Sequence, residues 1–152
     1  IGSAGSGGKV DKNCIIFAWE HPDVGLMSVK KGFKTVLCPG HKTYFDMAYN
    51  HSTYERGICW AATIEVKEVF DWKPLQDYET DDLKNVLGIQ GQLWSETITN
   101  KDYFDKMINP RLAALAEIAW CTKAKRSWHQ FRSSLLNNLE YLSKLGWKFH
   151  NF

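Results

Sequence analysis

The apolar positions of this chain fall into two kinds of run. Residues 13–19 read Asn-Cys-Ile-Ile-Phe-Ala-Trp, nearly continuous and of strand length, the pattern of a strand buried on both faces of a parallel sheet. Residues 34–39, Lys-Thr-Val-Leu-Cys-Pro, repeat that pattern and stop at Pro39-Gly40. Residues 86–94, Val-Leu-Gly-Ile-Gln-Gly-Gln-Leu-Trp, form a third such run. Between the first two, Pro22 and Asp23 suit a helix start, Met27 and Val29 lie within it, and Lys30, Lys31 and Gly32 suit its end by dipole and left-handed cap. A long polar and aromatic loop, residues 41–60, follows the second strand. Residues 66–70 have weak helical character that Trp72-Lys73-Pro74 breaks, and Thr80-Asp81-Asp82-Leu83 caps a turn ahead of the third strand.

The second kind of run has helical spacing. Asn109-Pro110 supplies a cap residue and a first-turn proline ahead of Leu112, Leu115, Ala116, Ala119 and Trp120, spaced as one helix face. Ser127-Trp128-His129-Gln130 has capping-box spacing, and Phe131, Leu135, Leu139 and Leu142 carry a second stripe to Gly146. Strands alternating with helices predict an α/β chain with a parallel sheet. Three parallel strands leave two bare edges, so the expectation is a portion of a larger sheet or barrel.

Composition narrows the function classes. The 152 residues are 44% apolar, 14% aromatic and 24% charged, which fits a globular chain and excludes disorder, collagen-like repeats and coiled coil. The apolar runs fall far short of the roughly 20 residues that span a bilayer. A net charge of +2 from 19 basic and 17 acidic side chains gives no strong field, so neither nucleic acid nor an acidic membrane surface is an expected partner. Cys14, Cys38, Cys59 and Cys121 lack CxxC spacing and matched histidines, so no metal site is expected. Cys14 and Cys38 bound apolar strand runs, where thiols behave as small hydrophobes; disulfides are the alternative. Asn50-His51-Ser52 matches a glycosylation triplet, a short pattern of little weight. Residues 1–12, glycine-rich at their start, read as a linker or flexible loop, and Lys123-Ala124-Lys125-Arg126 reads as solvated surface between helices.

In α/β barrels the functional side chains occupy the carboxyl ends of the strands. That rule selects Trp19, Glu20 and His21 after the first strand, His41, Tyr44 and Asp46 after the second, and Trp94, Ser95 and Glu96 after the third. Rings and carboxylates dominate. A sugar offers C–H faces that stack on rings and hydroxyls that carboxylates accept from, so the mixture suits a neutral carbohydrate, with no glycine-rich phosphate cradle competing.

Two segments then carry a resemblance: Gly88-Ile89-Gln90-Gly91-Gln92-Leu93-Trp94-Ser95-Glu96, and Asn109-Pro110-Arg111-Leu112-Ala113-Ala114-Leu115-Ala116-Glu117-Ile118-Ala119-Trp120. The pair resembles the last strand and helix of the β-N-acetylhexosaminidases, family 20 of the glycoside hydrolases. Trp19, Tyr44 and Asp46 agree in order, and Tyr54-Glu55-Arg56-Gly57 is similar to the bacterial chitobiase branch. The resemblance implies the C-terminal part of a (β/α)8 barrel over residues 13–152, its sixth to eighth strands, with five strands upstream and no cofactor. It implies removal of terminal β-linked N-acetylglucosamine or N-acetylgalactosamine with retention, the substrate's acetamido oxygen acting as nucleophile. Tyr44 would hold the acetamido carbonyl, Asp46 and Glu96 would accept from outer hydroxyls, and Trp19, Trp94 and Trp60 would wall the pocket. The partners implied are an N-acetylhexosamine-terminated oligosaccharide and the upstream part of the same barrel; a secreted, periplasmic or lysosomal compartment fits the family.

One departure stands out. The family's adjacent Asp-Glu pair, whose glutamate is the general acid, has no counterpart, because no Asp-Glu dipeptide occurs in these 152 residues. The chain alone is therefore expected to be inactive. Two other readings use the same residues: a non-catalytic carbohydrate-binding module, and a glycosidase with Asp46 and Glu96 as its own carboxylate pair about 5 to 5.5 Å apart.

Overall fold

Parallel strands cannot be joined by tight turns, so each pairing here needs a crossover. A computed structural model describes residues 10–122 and 126–152 of the chain. Strands β1 (Ile15–Ala18), β2 (Lys34–Leu37) and β3 (Val86–Ile89) pair side by side in that order, all parallel. Ile15 lies opposite Lys34 and Ala18 opposite Leu37, while the second pairing shifts register between Thr35 and Val36. Helix α1 (Pro22–Lys30) makes the first crossover. Helices α2 (Gly40–Thr43), α3 (Val66–Asp71) and α4 (Thr80–Leu83) lie on the second. After β3 come α5 (Lys101–Ile108), α6 (Arg111–Trp120) and α7 (Trp128–Lys144). The expected α/β class with its parallel sheet and alternating helices is what forms. No helix among the described residues is long and apolar enough to cross a membrane.

The sheet is covered on one side only. Ile16 and Ala18 of β1 are buried, whereas Ile15 and Phe17, which point the other way, are half exposed. The apolar run therefore marked a strand correctly, but only one of its faces is buried within this chain. Cys38 is buried as expected and Cys14 is exposed, because its position precedes the paired part of β1; among the described residues no disulfide joins Cys14, Cys38 or Cys59.

The stretch after β2 was expected to be a polar loop and is instead the hub of the core. Tyr44, Phe45, Met47, Ala48 and Tyr49 are all buried, packed with Ile64, Val66 and Val69 and with Ala114, Leu115 and Ile118 of α6. Its backbone makes bonds of the kind strands make: Phe45 N–H donates to Gln92 O at 2.6 Å, Ala48 N–H to Ile58 O at 2.8 Å, and Ile64 N–H to Ala48 O at 2.9 Å. Satisfying these groups internally is what lets an irregular segment sit in the core.

The C-terminal helices follow their signals with two corrections. Ser127 Oγ accepts from the Gln130 N–H, Leu135 and Leu139 are buried, and Gly146 at φ +85° ends α7. Helix α6 forms, but the face it buries is Arg111, Ala114, Leu115 and Ile118. Leu112 and Trp120 face outward, Trp120 at 90% exposure, so of the expected stripe only Leu115 reaches the core. Helix α5, which the apolar pattern did not predict, is capped by Asn100, whose side chain accepts from the Tyr103 N–H. Asn109 ends α5 and Pro110 is the N-cap of α6. Of the expected linker, residues 1–9 lie outside the described residues, while Asp11 O accepts from the Cys14 N–H and so turns the chain into β1. Lys123, Ala124 and Lys125 of the basic stretch also lie outside the described residues.

Gly57 sits where only glycine fits. At φ +121°, an added Cβ would lie 2.7 Å from Ala48 N and 2.9 Å from Asp46 O. Gly57→Ala is expected to cost about 1 to 3 kcal/mol from backbone conformation alone, and more from the clash. Thermal unfolding of the folded polypeptide checks this; an unchanged midpoint would contradict it.

Candidate active site

Side chains alternate along extended backbone, so every second residue faces the same way. That periodicity brings Ile15, Phe17 and Trp19, and then Gln90, Gln92 and Trp94, to one open hollow of about 860 Å³; the turn in which Met47 N–H donates to Tyr44 O adds Tyr44 and Asp46, and the turn in which Ile98 N–H donates to Ser95 O adds Glu96. Trp60 and Ile58, from the chain that returns past residues 46–48, close another side. All six site residues expected from the sequence, Trp19, Tyr44, Asp46, Trp60, Trp94 and Glu96, line this hollow.

The rings form a connected wall. Tyr44 is its centre, with ring centroids 6.5 Å from Trp19, 5.8 Å from Trp60 and 6.5 Å from Trp94. Trp60 stands edge-on to both Tyr44 and Trp19, at 87° and 77°. Such edge-to-face contacts fix ring planes without hydrogen bonds. Trp60 and Trp94 are both more than half exposed, so their faces are open to a ligand. Burial pushes the Tyr44 hydroxyl pKa up, with Cys38 and Asp46 adding to it and the Trp94 side chain opposing, so the phenol stays a neutral donor at physiological pH.

Asp46 is the polar floor. It is 1% exposed, its Oδ1 accepts from the Trp94 N–H at 3.5 Å, and its Oδ2 is buried without a partner. Gln92 Oε1 is likewise buried and unpartnered. Two orphan acceptors beside a ring wall favour a ligand that brings hydrogen-bond donors, such as hydroxyls. Burial holds the Asp46 carboxyl above the ordinary aspartate range; Glu96 adds to the rise, while the N–H groups of Asp46 and Trp94 and the Arg111 charge oppose it.

The remaining candidates lie elsewhere. Glu20 and Ser95 are exposed and do not line the hollow. His21 lines a separate cleft of about 250 Å³ with Trp72, Asp77 and Tyr78, and its ring lies 6.5 Å from that of His41. Burial, Lys42 and His21 together lower the His41 pKa. Gln90 and Gln92 were missed by the sequence reading although their alternation with Trp94 and Glu96 was available as a signal. Among the described residues, no group of three or more His, Cys, Asp or Glu side chains could hold a metal ion.

The fold and hollow define a class: a parallel α/β domain with an aromatic, carboxylate-bearing recess at the carboxyl ends of its strands. The family model described as "Glycosyl hydrolase family 20, catalytic domain" matches residues 3–123, and the chain belongs to that family. A beta-N-acetylhexosaminidase of Cellulomonas fimi is 30% identical over 125 residues, covering 82% of this chain and 25% of its own length. A beta-hexosaminidase of Vibrio furnissii is 39% identical over 119 residues, covering 77% and 20%. The solved structure of a Vibrio harveyi family 20 exo beta-N-acetylglucosaminidase in complex with N-acetylglucosamine matches with a TM-score of 0.92 at 34% identity, over 98% of this chain and 24% of that one. The chain thus spans a quarter or less of the length of these relatives.

The raised pKa of Asp46 has a signed consequence for stability. Both folded and unfolded states are neutral at this position below about pH 4, the ordinary aspartate range. As pH rises from that range to the raised folded-state value, the unfolded chain gives up its proton first and stability falls, and the full penalty is present above the folded-state value. Asp46→Asn is therefore expected to raise the unfolding midpoint at pH 7, with the advantage vanishing below about pH 4. Thermal melts across that range check it; an equal or lower midpoint at neutral pH would contradict it.

Proposed function

We propose that this chain is the closing part, residues 13–152, of the catalytic (β/α)8 barrel of an exo-β-N-acetylhexosaminidase, and that β1, β2 and β3 are the barrel's sixth, seventh and eighth strands. The observation that carries the reading is the convergence of Trp19, Tyr44, Asp46, Trp60, Trp94 and Glu96, from well-separated stretches of sequence, on one hollow. The uncovered Ile15 and Phe17 on that side of the sheet support it, since inward residues of a barrel need strands across the axis to bury them. The N-acetylglucosamine named with the Vibrio harveyi neighbour supports the choice of sugar.

In this reading the substrate supplies its own nucleophile. The Tyr44 hydroxyl donates to the acetamido carbonyl and aims its oxygen at the anomeric carbon. As that C–O bond forms, the glycosidic C–O bond breaks, and the leaving oxygen takes a proton from a general acid. Water then gives a proton back to the conjugate base of that acid and attacks the anomeric carbon from the face the leaving group vacated; the acetamido C–O bond breaks, giving net retention. Trp19, Trp60 and Trp94 enclose the acetamido group and sugar face and keep other water away. The orphan Asp46 Oδ2 and Glu96 accept from outer hydroxyls. This segment supplies the sugar-binding wall; the general acid belongs to the rest of the barrel, consistent with the absence of an Asp-Glu dipeptide here.

Two measurements test the reading. In the full-length enzyme carrying this chain, Tyr44→Phe is expected to lower kcat by about 10²-fold or more while KM changes little, the signature of a hydrogen bond made mainly in the transition state. Unchanged kcat would remove Tyr44 from the mechanism. The 152-residue chain by itself is expected to show no turnover of a chromogenic β-N-acetylglucosaminide, and measurable hydrolysis would contradict the division of labour.

A further inference from the structure

Arg111 is fully buried, yet among the described residues no carboxylate forms a salt bridge with it. Its guanidinium is satisfied by main-chain oxygen instead. Nη2 donates to Phe45 O at 2.6 Å and Met107 O at 2.6 Å, Nη1 to Met47 O at 2.8 Å and Ile64 O at 3.1 Å, and Nε to Met107 O at 3.1 Å. The Tyr49 ring lies flat beneath it, 3.7 Å from Cζ, and Phe45 stands 5.3 Å away. Burying a charge this way is expensive, and an apolar side chain would fill the same space at less cost. What an apolar side chain could not do is fix the direction of four carbonyls, which needs a rigid planar fork of donors.

Two of those carbonyls bracket Asp46. With Phe45 O and Met47 O both drawn to Arg111, the backbone between them is held with residues 45 and 47 toward the core. Tyr44 and Asp46 lie on the turn that the Met47 N–H closes onto Tyr44 O, at 3.2 Å, and both line the hollow. The bonds from Phe45 N–H to Gln92 O and from Ile58 N–H to Asp46 O, at 2.6 and 3.0 Å, leave the segment little other freedom.

We infer that Arg111 is a positioning residue for the sugar site, acting through the main chain of residues 45–47 to aim Tyr44 and Asp46. The inference rests on the role proposed above for Tyr44 and goes beyond it by naming what holds that hydroxyl in place. Lysine cannot replace the fork: a single ammonium reaches at most some of the four carbonyls, so Arg111→Lys frees the segment while keeping the charge. A misplacement of about 1 Å is enough to cost on the order of 10²-fold in rate.

The test is a double-mutant cycle in the full-length enzyme, with Arg111→Lys and Tyr44→Phe apart and together. Arg111→Lys is expected to lower kcat by about 10- to 100-fold with KM nearly unchanged. In the Tyr44→Phe background it should lower kcat by no more than about threefold, because the hydroxyl it aims at the acetamido group is gone and Asp46, the other group it aims, meets only outer hydroxyls away from the bonds that break. Val29→Ala, a truncation of a buried α1 side chain outside the cluster that holds Tyr44, Phe45 and Met47, serves as the structural control and should multiply with Tyr44→Phe. If Arg111→Lys does not accumulate as folded protein, Arg111→Gln, whose uncharged amide offers two N–H donors and so cannot hold all four carbonyls, goes through the same cycle with the same expectation. Full multiplicativity with a slow Tyr44→Phe enzyme overturns the positioning role alone. A Tyr44→Phe enzyme of normal kcat overturns the proposed function and this inference with it.

Discussion

A buried guanidinium bonded to main-chain oxygen, with a tyrosine ring stacked beneath it, ties together the parts of this molecule that the sheet alone does not. Arg111 begins α6, and its donors reach the segment after β2, the chain just before α3, and the last turn of α5. Each of these has its own local reason to fold, but none fixes its orientation relative to the others. A core of aliphatic side chains is tolerant of small sliding motions, whereas five directional bonds from a rigid plane are not. The hollow beside β1 and β3 inherits that rigidity, because its central residues sit on the segment that Arg111 grips.

The site shows the opposite economy. Asp46 and Gln92 each keep a buried acceptor without a partner, and three large rings stand around a space that the chain itself does not fill. These features weaken the folded state, and a ligand in the hollow that brings hydrogen-bond donors would satisfy them. Preorganised acceptors and donors act on a ligand without having to reorganise, which is the general advantage of placing unsatisfied polarity at a functional site. A rigid clamp on one side of residues 45–47 and an unsatisfied recess on the other are thus two halves of one arrangement.

Much of this was legible in the sequence where the signal is local. The three apolar runs became the three strands, since a near-continuous stretch of Ile, Val, Phe and Leu with a proline or glycine at its end has few other ways to fold. Ser127 and Gly146 marked the ends of α7 because capping chemistry is decided by one or two residues. What was not legible depends on distant partners. Residues 111–120 are apolar nearly all round, so the spacing alone could not say which side would be buried, and the charged Arg111 lies on the side that was. The segment around Tyr44 reads as a polar loop because its histidine, lysine, threonine and aspartate outweigh Phe45 and Met47; only the backbone bonds to Gln92 and Ile58 make it core. Helix α5 offered Asn100 and an apolar pair of Phe104 and Met107, a signal that was present and passed over.

In the function proposed here, the recess walled by Trp19, Tyr44, Trp60 and Trp94 holds the N-acetyl group of an amino sugar. The most direct measurement is a crystal structure of the full-length enzyme soaked with N-acetylglucosamine. The acetamido oxygen is expected within hydrogen-bonding distance of the Tyr44 hydroxyl, with its methyl against the tryptophans and sugar hydroxyls on Asp46 and Glu96. A sugar bound elsewhere, or bound here with the acetamido group turned to solvent, would contradict it.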